Sequence, residues 1–427
     1  MNETRECGGA AGVRNIARAN FISFLAISIV EFAVPFLAVT TVGASSAIVS
    51  LLAIARFLPS LLVSEIASVY VLRHGFRRAM LVGEVFRICA FVAAGAGALL
   101  SSQGIPLFVV ALSMVSLAGT LSGVAIGDAV PYLAHGADRV RIYSHLSIAE
   151  SSADAAGPFI GGILLSESSA PTEFAVCAGL AAVAVRLFWA LPKEGAPRTQ
   201  RSADGGKGAS SLAITSGLRL NVKDRVLRSI FVWMVVYNLG QSIVMSVFLI
   251  AVTRDMGLTA TEFGVLSSAV VIFAIAGAWW AGKIVHRIEW SGRLFQLAGM
   301  GTMAAYLLLG LSFLAPTLAA VFALSICLAL EEFCSAVAGI LIAEYRATVV
   351  PQERRPGVIA ANRATVALSV VAGYGIGGGF GLWIPPIPII IGIGLVMVVA
   401  SIVWLAPGEV VRGISVASEE ASSAGAA

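Results

Sequence analysis

Apolar residues in this chain come in long runs. They do not alternate, and they do not recur as narrow stripes. Stretches rich in Ala, Val, Leu, Ile and Gly are broken by short segments that hold nearly all the charge. Crossing a bilayer as a helix takes roughly 20 mostly apolar residues. Twelve runs reach that length, at about 20–41, 46–71, 79–100, 106–129, 145–166, 173–191, 229–252, 262–284, 293–314, 317–344, 357–380 and 385–406. The alternating segments of about ten residues that mark a membrane barrel are absent. The pattern therefore predicts an all-α membrane protein with twelve transmembrane helices.

The longest polar interval divides these runs six and six. It predicts a cytoplasmic N-terminal tail over 1–19, a six-helix bundle over 20–191 and a cytoplasmic linker over 192–228. A second six-helix bundle over 229–406 and a disordered cytoplasmic tail over 407–427 complete the chain. The first part of the linker, to Ser211, is rich in Gly, Ser and basic residues and reads as flexible. The second part, Leu212 to Val226, reads either as a basic amphipathic helix on the inner membrane surface or as a plain tether.

Composition supports the pattern. The chain has 427 residues, is 58% hydrophobic and only 12% charged, where a soluble domain is about 25% charged. Cys89, Cys177, Cys327 and Cys334 lie in apolar runs and Cys7 stands apart, which excludes a disulfide framework and a zinc site. His74, His135, His145 and His286 sit in or beside loops without metal-ligand spacing. The Gly-x-x-x-x-Gly-Lys-Ser/Thr signature is absent, so ATP is not the expected energy source. No cofactor, no nucleic acid and no enzymatic activity are expected. The first run is too long for a signal-peptide core and reads as a retained span.

Lysine and arginine set the orientation. With the N-terminus inside, every loop Lys and Arg falls on the cytoplasmic side except Arg254; Arg56, Arg87 and Arg186 lie within spans. Both termini are then cytoplasmic in a multi-pass protein of the cell (inner) membrane, and the Ala- and Gly-rich usage points to a bacterial source.

One glycine-dense stretch occurs twice. Ala156-Gly157-Pro158-Phe159-Ile160-Gly161-Gly162 in the fifth run is echoed by Ala372-Gly373-Tyr374-Gly375-Ile376-Gly377-Gly378 in the eleventh. Small residues let membrane helices approach closely, so both stretches, Gly157, Pro158, Gly161, Gly162, Gly373 and Gly377 above all, are candidates for a helix or domain interface. Basic turns also repeat, at Arg73 to Arg78 and at Gly282 to Arg287. Two halves of one orientation indicate a parallel duplication, as in one class of secondary transporters.

These residues resemble the major facilitator superfamily over nearly the whole chain. Gly157-Pro158-Phe159-Ile160-Gly161-Gly162 is similar to that family's antiporter motif, which implies export. The turn after the second run resembles the Gly-x-x-x-Asp-Arg-x-Gly-Arg-Arg signature, with Arg73, Gly75, Arg77 and Arg78 kept and Ser68 and Leu72 in place of the glycine and the acid. Arg56-Phe57-Leu58-Pro59 and Val349-Val350-Pro351 resemble the macrolide- and siderophore-exporting branch of the drug:proton antiporters. The resemblance implies a major facilitator fold, in which spans 1, 4, 7 and 10 line a central cavity and a monomer is usual.

Ionisable groups inside a bilayer usually serve a function. Glu31 lies midway along the first span and reads as a carboxylate for a proton or a cationic substrate. Arg56 on the second span needs a carboxylate, and Glu31 is the nearest candidate; a static ion pair is the competing reading. Glu331 and Glu332 are midway along span 10. Grouping Glu332 with Ser325 and Ser335 makes it the better cavity candidate, with Glu331 as an ion-pair partner. Asn238 and Gln241 share a face of span 7 and read as substrate hydrogen-bonding groups or as glue between helices. Asp154, with Arg363 as its expected partner, reads as a cytoplasmic latch, joined at the gate by Arg73, Gly75, Arg77 and Arg78. Glu84 and Arg87, three apart, are expected to pair locally.

The sequence thus predicts proton-coupled efflux of a small amphipathic organic compound, such as an antibiotic or siderophore. Its partners are protons, that compound and the lipid bilayer. Uptake or facilitated diffusion, and a non-transporting receptor on the same fold, are the alternatives.

Overall fold

The computed structural model describes residues 3–133, 137–191, 215, 217–284, 291–351 and 354–405. Most of the predicted linker and the C-terminal tail lie outside the described residues, as do His286 and Arg287. Twelve long helices account for the described chain: α1 Glu3–Thr40, α2 Ser46–His74, α3 Phe76–Leu99, α4 Ile105–Leu133, α5 Ala137–Glu167, α6 Ala170–Trp189, α7 Arg225–Ile250, α8 Ala260–Ile284, α9 Ser291–Ser312, α10 Thr317–Val349, α11 Arg355–Phe380 and α12 Pro386–Leu405. Among the described residues eleven helices are long and apolar enough to cross a membrane. The exception is α5, whose first half is polar and includes Glu150 and whose second half carries Asp154. The all-α, multi-pass expectation holds. One difference is at the start: residues 3–19, expected as a tail, continue α1, because nothing between them and the span breaks a helix.

Local chemistry explains the helix ends. Thr259 and Glu262 form a capping box at the start of α8: the Thr259 amide donates to Glu262 Oε2 at 2.9 Å and the Glu262 amide donates to Thr259 Oγ1 at 3.3 Å. Reciprocal bonds of this kind satisfy the free amides of a first turn. Asp224 accepts from the Leu227 amide at 2.8 Å to begin α7. Gly75, at φ +82°, turns the chain sharply from α2 into α3, a region a side chain disfavours.

The described residues form two compact units. One holds residues 1–201 and 252–268; the other holds 202–251 and 269–427. In the first, α1 packs on α5 and α6, while α3 packs on α4 and α6. In the second, α7 packs on α11 and α12, while α9 packs on α10 and α12. In these pairs the second arrangement repeats the first: α7, α9, α11 and α12 pack as α1, α3, α5 and α6 do. In the first unit Ile16, Phe76, Met80, Ala125 and Phe188 belong to one buried apolar cluster. Outward stripes are apolar too: Leu318, Phe322, Ile326 and Leu330 run exposed along one side of α10, as lipid contact demands.

Candidate functional site

In the first unit the helices bring the predicted mid-span charges together. Arg56 Nη2 lies 2.5 Å from Glu31 Oε2, joining α2 to α1. The Arg56 guanidinium also lies over the Phe57 ring, 5.2 Å from its centroid. Asp154 on α5 accepts a hydrogen bond from Ser28, three residues before Glu31, and its charge reaches both Glu31 and Arg56. Two carboxylates and one guanidinium thus share a site on three helices.

The glycines explain how the helices come so close. A Cβ on Gly157 would collide with Ser28, and one on Gly161 would stand 3.1 Å from the Phe32 ring and 3.5 Å from the Ile29 carbonyl oxygen. The glycine stretch is therefore a seat for α1. The second unit repeats it: a Cβ on Gly373 would stand 2.5 Å from the Leu239 carbonyl oxygen and 2.7 Å from Ser242, while one on Gly377 would meet Ile243 and Ser246. Ser28 corresponds to Ser242 and Ile29 to Ile243. Gly157, Gly161, Gly373 and Gly377 accordingly lie between helices of a single unit. Gly162 and Pro158 face the first turns of α8, which belong to the first unit: a Cβ on Gly162 would stand 2.5 Å from the Ala260 carbonyl oxygen, and one on Gly264 would collide with that of Pro158. Phe32 and Phe36 stack with Phe263 at 5.7 and 6.3 Å beside this crossing.

In the second unit Glu331 is almost fully buried. Tyr237 on α7 donates its hydroxyl to Glu331 Oε1 at 2.6 Å, and the same hydroxyl lies 3.2 Å from Ser335 Oγ. Trp233 stacks on Tyr237 at 5.4 Å with the ring planes 4° apart. The predicted grouping of Ser335 with Glu332 is corrected here. Four residues bring a helical position closer to the starting face than three do, and Ser335 is four from Glu331. Glu332 is half-buried beside this network. Asn238 donates to the Met234 carbonyl of its own helix at 2.8 Å, and Gln241, one turn on, is half-buried.

The remaining predicted residues are more dispersed. Arg77 donates to the Trp189 carbonyl at 2.6 Å and its guanidinium lies over that indole at 5.1 Å, tying the start of α3 to the end of α6. Arg73 and Arg78 are exposed. Arg363 is exposed in the second unit, whereas Asp154 is engaged within the first. Glu84 and Arg87 pair in the core of the first unit, as expected. Arg254, the basic residue that departed from the charge rule, donates to the Ala44 carbonyl at 2.9 Å in the α1–α2 turn.

Sequence reasoning passed over Glu173. It sits in the first turn of α6, where an acid ordinarily reads as a helix-end charge, yet it is fully buried. It is the first residue of the predicted run over 173–191, a position that gives no sign of burial.

The sequence profile described as Major Facilitator Superfamily matches residues 16–313. No curated protein matches the chain. Among solved structures, a bacterial homologue of the iron transporter ferroportin, in an inward-facing state, is similar at a TM-score of 0.69 and 14% identity, covering 92% of this chain and 98% of its own. The xylose transporter XylE from E. coli gives 0.66 and 14%, covering 95% and 98%. The nucleoside transporter NupG gives 0.67 and 12%, covering 93% and 99%.

Proposed function

From the premise that the chain belongs to the Major Facilitator Superfamily, we propose that it is a secondary transporter that exports a small amphipathic organic compound in exchange for protons, by alternating access. The observation that carries this reading is the cluster of Glu31, Arg56 and Asp154. Two acids around one arginine inside a membrane-spanning unit can take up a proton or an organic cation, but not both at full charge. Competition for one site is what antiport requires. Glu331, held by the Tyr237 hydroxyl that also meets Ser335, is the second acid of the proposal, with Glu332, Asn238 and Gln241 as further substrate contacts on α10 and α7. Export, as against uptake, is supported by the resemblance of Gly157-Pro158-Phe159-Ile160-Gly161-Gly162 to the antiporter motif. The site of action proposed is a bacterial cytoplasmic membrane, with a monomer whose termini are both cytoplasmic and with Arg73, Gly75, Arg77 and Arg78 at the cytoplasmic gate.

The test is proton release by purified protein in detergent when candidate antibiotics and siderophores are added, in wild type and in Glu31→Gln. Release that depends on the compound and disappears in the variant supports antiport. A compound that binds wild type with no release of protons would sink the coupling role of Glu31.

A further inference from the structure

Glu173 is fully buried, and neither oxygen of its carboxyl has a hydrogen-bond partner. On α5, Gly161 is the neighbour, with Glu173 Oε1 3.3 Å from where a Cβ would stand. On α1, Ile29 and Phe32 meet the same glycine. Toward α3, Gly95 packs on Phe174, the residue next to Glu173. Among the described residues the titratable group in electrostatic reach is the thiol of Cys177, one turn along α6 and itself buried. Among the described residues no cation pairs with Glu173, in contrast to Glu31, which has Arg56, and Glu84, which has Arg87.

An ionised carboxylate isolated from water and from any partner is among the most unfavourable groups a fold can bury, and it takes up a proton instead. We propose that Glu173 is a second proton-binding site of this protein, separate from the Glu31–Arg56 pair and occupied in the conformation described here. The site lies at the end of the helices opposite the Arg73–Arg78 turn, since α6 begins there and ends at Trp189 beside Arg77. Gly161 couples it to the glycine seat of α1. A shift of α1 or α5 off that seat admits water to the carboxyl, which then hands its proton to the solvent on that side. The inference stands on the burial of this side chain and does not rest on the role proposed for Glu31.

Infrared spectroscopy of the full chain in liposomes tests it without a transported compound. A protonated carboxylic acid has a carbonyl stretch well separated from the carboxylate bands. At pH 7 the wild type is expected to show such a band, Glu173→Gln to lose that component, and Glu31→Gln to keep it. Glutamine matches the neutral acid in shape, so the variant is expected to melt as the wild type does. Should it fail to fold, Glu173→Asp keeps the carboxyl and moves the band in frequency. A Glu173→Gln spectrum identical to wild type in this region, or a Glu173→Asp spectrum that does not move, overturns the proposal.

Discussion

The Glu84–Arg87 pair makes a sharp test of the core. Glu84 is 0% and Arg87 1% exposed, one turn apart on α3. Ser23 of α1 donates to Glu84 Oε1 at 2.7 Å, and Arg87 Nη2 donates to Ser122 of α4 at 3.1 Å. Removing one member of a buried pair typically destabilises by about 3–5 kcal/mol, because it strands the other charge. The two removals are not equivalent. Arg87→Met strands a carboxylate, which escapes by binding a proton. That route bounds the cost near about 4 kcal/mol at pH 7, from a reference value of about 4.3 and about 1.4 kcal/mol per unit. Glu84→Gln strands a guanidinium, which cannot shed its proton. Its cost has no such ceiling and is expected at about 5 kcal/mol or more. The double variant Glu84→Gln/Arg87→Met removes both charges and is expected to recover most of the loss, within about 1–2 kcal/mol of wild type. Equilibrium unfolding in mixed detergent micelles, arranged as a double-mutant cycle, reads all four proteins. If Glu84→Gln proves milder than Arg87→Met, or if the double variant is no better than the worse single one, the pair is not the isolated buried unit described here.

Other outcomes follow from contacts already given. Gly162→Ala places a methyl group against the Ala260 carbonyl and is expected to cost about 1–3 kcal/mol of unfolding stability, as overpacking does; a melting temperature equal to wild type would contradict the crossing of α5 and α8. Tyr237→Phe removes the 2.6 Å donor of buried Glu331, a loss of about 1.5–3 kcal/mol for a bond to a charged group, whereas Tyr70→Phe, which keeps its ring on His74, should be silent in the same assay. Asn221→Ala breaks the 2.9 Å amide bond to Asn362; faster hydrogen exchange confined to residues 217–223 is expected, and unchanged exchange there would show that this stretch is held by something else. Arg254→Ala removes one bond to the Ala44 carbonyl and is expected to lower stability by only about 0.5–1.5 kcal/mol, so gross misfolding would mean that Arg254 has a larger task.

Spans, duplication and the Glu31–Arg56 pair were legible in the sequence because each leaves a strong one-dimensional trace. Twenty apolar residues, a repeated glycine pattern and an isolated charge in a span can be seen without coordinates. The partners of the glycines could not be seen. Gly157 shows that something comes close, but only the fold says that it is Ser28 of α1. The fine azimuth of a helix was also beyond reach: Ser335 is close in sequence to both acids of α10, and one residue of spacing decided for Glu331. Glu173 was missed for a different reason. A carboxylate in a first turn has a ready explanation at the surface, and the tertiary packing that buries it leaves no mark on neighbouring residues. For 212–226 the sequence left a surface helix and a plain tether open; the described part, 217–223, is helical, and its Asn221 is buried against Asn362 of α11.

The two glycine seats are copies in backbone but not in character. Where Gly161 receives the ring of Phe32, its counterpart Gly377 receives the hydroxyl of Ser246, which is itself bonded to the Ile243 carbonyl at 2.6 Å. The Ser246 hydroxyl is taken up by a carbonyl of its own helix and offers no donor to α11, whereas the Phe32 ring projects over its glycine and stacks on Phe263 of α8. The two halves thus own two unlike bearings, a smooth one under α7 and a studded one under α1. Exchanging Phe32 and Ser246 would swap the bearings without altering a single charge.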